Sequence, residues 1–268
     1  HVLLVLHMGL GKTVVASRMI QLAKSNNKKV LFIAHRTFLI TQCRDKLIRF
    51  GINCGIIKSK FKEDGSQSIQ VASIQTLVRR DLPPADIIII DEAHHAVSRK
   101  YMEIIQIYKD QGCAILGLTA TPFLMSKKLG LNMVFDDYVN TICVAEGIEK
   151  EYLLDSKVYG MKKQLDLSGV KRKDGDYDQG ELARAYSTED VTKNVINQYH
   201  AIIGNKKSIV FCVNKEHCIK VTQALLEAGY KGSYVVDETS EDERLVHLNN
   251  LEFGDYNLPI KLMLEQVI

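Results

Sequence analysis

Short apolar runs alternate with longer amphipathic stretches from the first residue of this chain. Residues 2–6, 30–34, 69–72, 87–90 and 114–118 are rich in Val, Ile and Leu and do not alternate with polar positions. Strands buried on both faces, as in a parallel sheet, read this way. Between them, residues 12–24, 38–49, 73–80 and 100–109 carry helical spacing, so the pattern predicts an α/β domain. The signal weakens after Pro122, returns as an apolar run at 158–161, and gives way to a polar stretch at 169–180 that reads as an exposed loop. A second set follows: helix 188–203, strand 208–213, helix 216–228, strand 232–236, helix 241–251 and an apolar run at 260–264. About three strands fall short of a complete doubly wound domain. The expected division is residues 1–144 for the first domain and 145–268 for a second, incomplete one.

Composition removes several classes. With 268 residues, 46% hydrophobic, 25% charged, 17 Gly and 4 Pro, the chain is not disordered, collagen-like or of low complexity. No apolar run approaches the roughly 18 to 20 residues that span a bilayer, so no membrane partner is expected. The opening His1 and the strand-like run behind it lack the charged n-region and cleavage site of a signal peptide, and read as the edge of a strand. Six cysteines without a CxxC pair argue against a zinc site and a disulfide framework, and predict reduced thiols in a cytoplasmic setting. Charge adds an asymmetry to the net +3. Residues 1–140 hold 19 Lys and Arg against 11 Asp and Glu, whereas the remainder holds 16 against 21. The first part could face a polyanion, although a solvated surface of mixed sign explains the count as well.

The chemistry concentrates at strand ends. The first strand runs into Met8-Gly9-Leu10-Gly11-Lys12-Thr13 and then into a helical stretch. Glycines let backbone N–H groups converge on phosphate oxygens, and the helix N-terminus adds partial positive charge. Gly9, Leu10, Gly11, Lys12 and Thr13 are thus the candidate nucleotide-binding residues, with Lys12 reaching the β- and γ-phosphates and the Thr13 hydroxyl on Mg²⁺. The strict GxxxxGK[ST] pattern has Gly where Leu6 stands, so the match is partial. About eighty residues on, the Ile87 to Ile90 strand ends in Asp91-Glu92-Ala93-His94-His95. Adjacent acids at such a strand end suit a P-loop nucleotidase, with Asp91 on the metal and Glu92 beside the attacking water. Neighbouring His94 and His95 point apart and do not form a metal site.

Asp91-Glu92-Ala93-His94 resembles the DEAH form of the second motif of superfamily 2 helicases and translocases, and other segments agree. Residues 33–42, with Ala34-His35-Arg36, resemble motif Ia; Gln75-Thr76-Leu77 resembles the QTL segment; Thr119-Ala120-Thr121-Pro122 resembles motif III. Residues 208–213 look like motif IV, and Val236-Asp237-Glu238-Thr239 with Glu243-Arg244 looks like the segment before motif V. The nearest flavour is the bacterial and phage group related to type III restriction motor subunits and excision-repair helicases. The resemblance implies a RecA-like P-loop domain followed by a partial second one, and hydrolysis of ATP with Mg²⁺ in the cleft between two lobes. It implies catalysis by Glu92 and Lys12, coupling through His94, Thr119 and Thr121, and backbone contacts from Arg36, Gln75 and Thr76 to nucleic acid, DNA ahead of RNA. Partner subunits of a restriction or repair complex are implied as well. The alternative is a nucleotide- or nucleic-acid-binding remnant without catalysis.

Departures from the family pattern set further expectations. Met8 stands where Thr is usual, and Phe123-Leu124-Met125-Ser126-Lys127 lacks the Arg and Asp-Gly of related chains. No adenine-recognition segment precedes Val2, and no motif V or arginine-bearing motif VI follows Leu264. Since an arginine finger is worth on the order of 10³ to 10⁵ in rate, these residues alone are expected to bind ATP weakly and turn it over slowly.

Overall fold

The computed structural model describes residues 1–34, 37–57, 66–122, 130–160, 165–173, 176–204, 206–253 and 258–261. The chain divides into two compact units, His1–Lys157 and Val158–Ile268. In the first, β1 (Val2–Val5), α1 (Lys12–Ser25), β2 (Val30–Ala34), α2 (Thr37–Arg49) and β3 (Gly55–Ile57) lead to β4 (Ile69–Ser73) and α3 (Ile74–Leu77). They are followed by β5 (Ile87–Asp91), α4 (Arg99–Asp110), β6 (Ala114–Thr119), β7 (Asp137–Asn140) and α5 (Val144–Glu149). The strands form one seven-stranded sheet in the order β3-β4-β2-β5-β6-β1-β7, and its neighbours pair in parallel.

The apolar runs explain the layers. Successive side chains of a strand face opposite sides, so a strand without polar alternation must be covered twice. Ile88 and Ile90 of β5 join Leu3, Tyr101, Ile104 and Tyr108 in one core, whereas Ile89 joins Ala16, Ile20, Phe32 and Leu47 in the other. Because the strands run the same way, their C-terminal ends share one edge of the sheet. The returns from helix to strand lie at the opposite edge. Only β6 separates β1 from β5, which sets the ends of these two strands about 10 Å apart.

Two strands of this sheet lack the expected apolar signature. β3 is three residues long, and β7 is exposed at all four positions, held by its register with β1 from Val2↔Asp137 to Val5↔Asn140. The helix expected at 73–80 is shorter: Ser73 closes β4 and caps α3 by accepting the Thr76 N–H, and the helix stops at Leu77. The first unit also runs on to Lys157 rather than ending at 144, because α5 and Leu153 pack against the loop after β1. The stretch 123–127 lies outside the described residues, except Pro122 before it.

The second unit holds a short hairpin of β8 (Arg172–Lys173) and β9 (Asp176–Tyr177), then α6 (Gln179–Tyr186), α7 (Glu189–Ile202) and α8 (Lys215–Glu227). After these, β10 (Gly232–Val235) pairs in parallel with β11 (Leu258–Lys261), and α9 (Glu241–Phe253) lies between them in sequence. Tyr199, Cys212, Cys218, Val221, Leu225, Tyr230 and Val236 form its core. The expected loop at 169–180 instead contains the hairpin and the start of α6, whose cap Asp178 accepts the Glu181 N–H while Glu181 accepts the Lys171 N–H at 2.8 Å. The expected strand at 208–213 is not one: Phe211 and Ile209 are exposed, and only Cys212 of the run is buried. Residues 158–160 carry no regular structure, and β11 takes the run at 260–264 only as far as Lys261, beyond which the residues are not described.

Candidate nucleotide site

The loop from β1 to α1 bends through two glycines. Gly9 has φ +81° and Gly11, the N-cap of α1, has φ +86°, a left-handed conformation that a side chain disfavours. Gly11 accepts the N–H groups of Val14 and Val15 at 2.9 and 3.1 Å, which starts the helix without a side-chain cap. The Leu10 N–H closes the loop onto His7 O at 3.2 Å, and the loop ends at the positive end of a 14-residue helix. Leu6, at the position of the missing glycine, is buried and extends the sheet by donating its N–H to Thr119 O at 2.9 Å. Met8 is exposed on the rim of the loop.

The acids meet this loop at the same edge. Asp91 ends β5, and its carboxylate accepts the Glu92 N–H at 3.1 Å. Burial and then the Glu92 charge push its carboxyl above the usual carboxylate range, opposed by that hydrogen bond and by Lys12 and Lys46. Lys12 Nζ stands 3.9 Å from Glu92 Oε1, an attraction too long for a hydrogen bond. The lysine side chain is 15% exposed and the glutamate 37%, so the pair is partly screened from water. Glu92 itself has φ +50° and ψ +53°, rare for a residue with a long side chain and worth of order 1–3 kcal/mol of strain.

Behind Glu92, His94 Nδ1 lies 3.5 Å from Glu92 Oε2 and 3.2 Å from Thr119 Oγ1. Thr119 Oγ1 also donates to Thr121 O and accepts the Thr121 N–H, both at 3.1 Å. His94 Nδ1 thus stands between the Glu92 carboxylate and the Thr119 hydroxyl. The chain Glu92–His94–Thr119–Thr121 is therefore continuous. The two histidines do not point apart as expected of neighbours: the His95 ring centroid lies 4.2 Å from that of His94, tilted by 50°, because the 3₁₀ turn brings both rings to one side.

The residues expected to touch nucleic acid divide. Arg36 lies outside the described residues. Gln75 is exposed in α3, but Thr76 is 9% exposed, and its hydroxyl lies 2.9 Å from Ser73 Oγ. In this conformation Thr76 serves the cap of α3 and does not present its hydroxyl to the surface.

The site's chemistry suits a nucleotide and a hard cation. The N-terminus of α1 and Lys12 match phosphate. Mg²⁺ is held by one or two protein oxygens plus phosphate. Thr13 and the half-buried Asp91 are oxygen donors of that kind. Two further residues escaped the sequence reading: Gly147 and Leu153 pack on Gly9 and Leu10. A glycine inside a helical stretch was the available sign, since it is unfavourable there without a packing reason.

Sheet order, glycine loop and paired acids define the first unit as a RecA-like P-loop domain. Residues 1–124 match the family described as type III restriction enzyme, res subunit. The chain is 30% identical over 257 residues to IRC3 of Saccharomyces cerevisiae, named as an ATP-dependent helicase, covering 88% of this chain and 37% of that protein. It is 27% identical over 241 residues to a 51.5 kDa protein of a Lactococcus phage (isolate 7-9), covering 88% and 49%. The chain thus spans less than half the length of these relatives. Two solved structures share the fold. The Hef helicase domain of Pyrococcus furiosus has a TM-score of 0.50 at 18% identity, covering 98% of this chain and 82% of that one. Dbp5 of S. cerevisiae bound to RNA and ADP BeF3 has a TM-score of 0.59 at 14% identity, covering 98% and 65%. By these matches the chain is similar to the superfamily 2 helicases, in the group related to type III restriction subunits.

Proposed function

We propose that this chain is the nucleotide-hydrolysing core of an ATP-dependent helicase or translocase. The observation that carries the reading is the meeting of Lys12 with the Asp91-Glu92 pair at one sheet edge, from positions about eighty residues apart. Gly9 and Gly11 offer amides to the phosphates, with Leu10 between them bonded to His7 O until a nucleotide arrives; Lys12 neutralises the phosphates, and Thr13 with Asp91 would hold Mg²⁺. The cation, when bound, would withdraw charge from the transferring phosphoryl group. Glu92 accepts the proton of the attacking water, its carboxylate held between Lys12 and His94. His94, Thr119 and Thr121 carry the state of that carboxylate to the end of β6.

Nucleic acid is the partner in this reading, gripped by its backbone through Arg36 and Gln75 with Thr76 beneath, DNA ahead of RNA. The family matched and the helicase names of the relatives support it. The reading places the chain in a cytoplasmic restriction or repair assembly.

Binding of a fluorescent ATP analogue with Mg²⁺, and phosphate release with and without single-stranded DNA or RNA, test the proposal. Lys12→Ala is expected to weaken nucleotide binding about tenfold or more through loss of a charge-assisted phosphate contact. Glu92→Gln is expected to bind nucleotide and release no phosphate. Wild-type affinity in Lys12→Ala would overturn the reading of the loop, and binding without turnover by the wild type would assign the non-catalytic alternative.

A further inference from the structure

The chain after α5 folds back on itself. Glu151 adopts φ +59°, and the N–H groups of Tyr152 and Leu153 both donate to Gly147 O, at 2.9 and 3.0 Å. That reversal turns Leu153 inward, half-buried, while Tyr152 and Leu154 on either side remain exposed. Leu153 lands on the phosphate loop: a Cβ built on Gly9 would stand 2.6 Å from Leu153 Cδ2. From the other side, a Cβ on Gly147 would meet Leu10 Cδ2 and Leu153 Cδ1, each at 3.0 Å. Gly9 and Gly147 therefore both pack on the Leu153 side chain, and the Leu10 side chain closes on Gly147 from the loop.

We propose that Leu153 is a positioning residue for the phosphate loop, clasping Gly9 and Leu10 in the bent form that receives a nucleotide. The inference rests on the nucleotide-binding reading above and extends it to a residue that touches no phosphate. A loop with two left-handed residues has conformational freedom to lose on binding, and an apolar clasp removes part of that freedom beforehand. Coupling of this kind is reciprocal, so a nucleotide seated on the loop firms residues 144–153 by the same factor. The chain enters its second unit at Val158, so this segment is the covalent route by which the occupied loop acts on the rest of the molecule.

The whole chain is tested as wild type, Leu153→Ala and the volume-conserving Leu153→Met. In ligand-free protein, hydrogen exchange of residues 8–12 is expected to quicken in Leu153→Ala while β2 and β5 are unchanged. The nucleotide KM is expected to rise about fivefold or more with kcat unaltered, and Leu153→Met to restore both. In the wild type, Mg-ATP should slow exchange over residues 144–153, and Leu153→Ala should abolish that effect. Unchanged loop exchange, unchanged nucleotide affinity, or a rise in exchange spread equally over β2 and β5 would each overturn the clasp. Failure of the wild type to bind nucleotide would instead remove the proposed function, and exchange of residues 8–12 in ligand-free protein would still decide whether Leu153 holds the loop.

Discussion

His217 stands in the first turn of α8, where its Nδ1 accepts the Val213 N–H at 3.2 Å and its own N–H caps onto Asn214 at 2.9 Å. Tyr186 packs near its ring, and Lys220 lies on the same helix one turn on. Burial, and then the Lys220 charge, lower its affinity for a proton below the ordinary value of 6.5. The unfolded chain then binds the proton more readily than the folded one, so stability is fully present above pH 6.5 and is lost as pH falls through the lowered folded pKa. The expected outcome is that acidification from pH 7 lowers the melting temperature of the wild type more steeply than that of His217→Asn, whose side-chain oxygen can still accept the Val213 N–H. Parallel melting curves across the range would remove His217 as the cause. Residues of this sort were invisible in the sequence, unlike Lys12, Asp91 and Glu92, which announce themselves at the ends of apolar runs. Thr76 shows the limit from the other side. Its place in a motif could not tell a hydroxyl offered to a ligand from one closing a helix on Ser73.

β6 shows why one element tolerates so little change. Its Gly117 faces Phe135, which follows the 3₁₀ turn Leu131–Met133, and a Cβ there would stand 2.4 Å from the ring Cζ and 2.9 Å from Ala93 Cβ. Gly117→Ala should lower stability by about 1–3 kcal/mol, the usual cost of overfilling a packed core. Adding Phe135→Leu should return part of that loss, read as the midpoint of urea unfolding. A single variant as stable as the wild type would mean the strand can shift away from the ring. The central strands were legible because they need cover on two faces and so had to be apolar throughout. β7 needs none, its four residues being exposed, and so left no apolar trace. The reverse holds at 208–213, where an apolar run with strand composition pairs with no strand among the described residues and leaves Phe211 exposed. Composition describes what a segment could bury, whereas pairing depends on a neighbour that the run itself does not specify.

The two large cores draw only on residues of the first unit, and the small third core only on residues of the second. Residues 1–157 expressed alone should therefore fold and melt cooperatively, with the midpoint that calorimetry assigns to this unit in the whole chain. An aggregated or unfolded product would show that the first unit leans on the second. The parallel sheet has one more practical meaning. Its chemistry crowds one edge, so the turn between α4 and β6 lies at the other, where Gln111 and Gly112 are exposed and nothing stands within 4 Å of a Cβ on Gly112. An epitope or dye-bearing peptide threaded in before Gln111 would stay clear of the edge that holds Lys12, Asp91 and Glu92, giving a tether by which single molecules could be fixed to glass and tested for the proposed turnover.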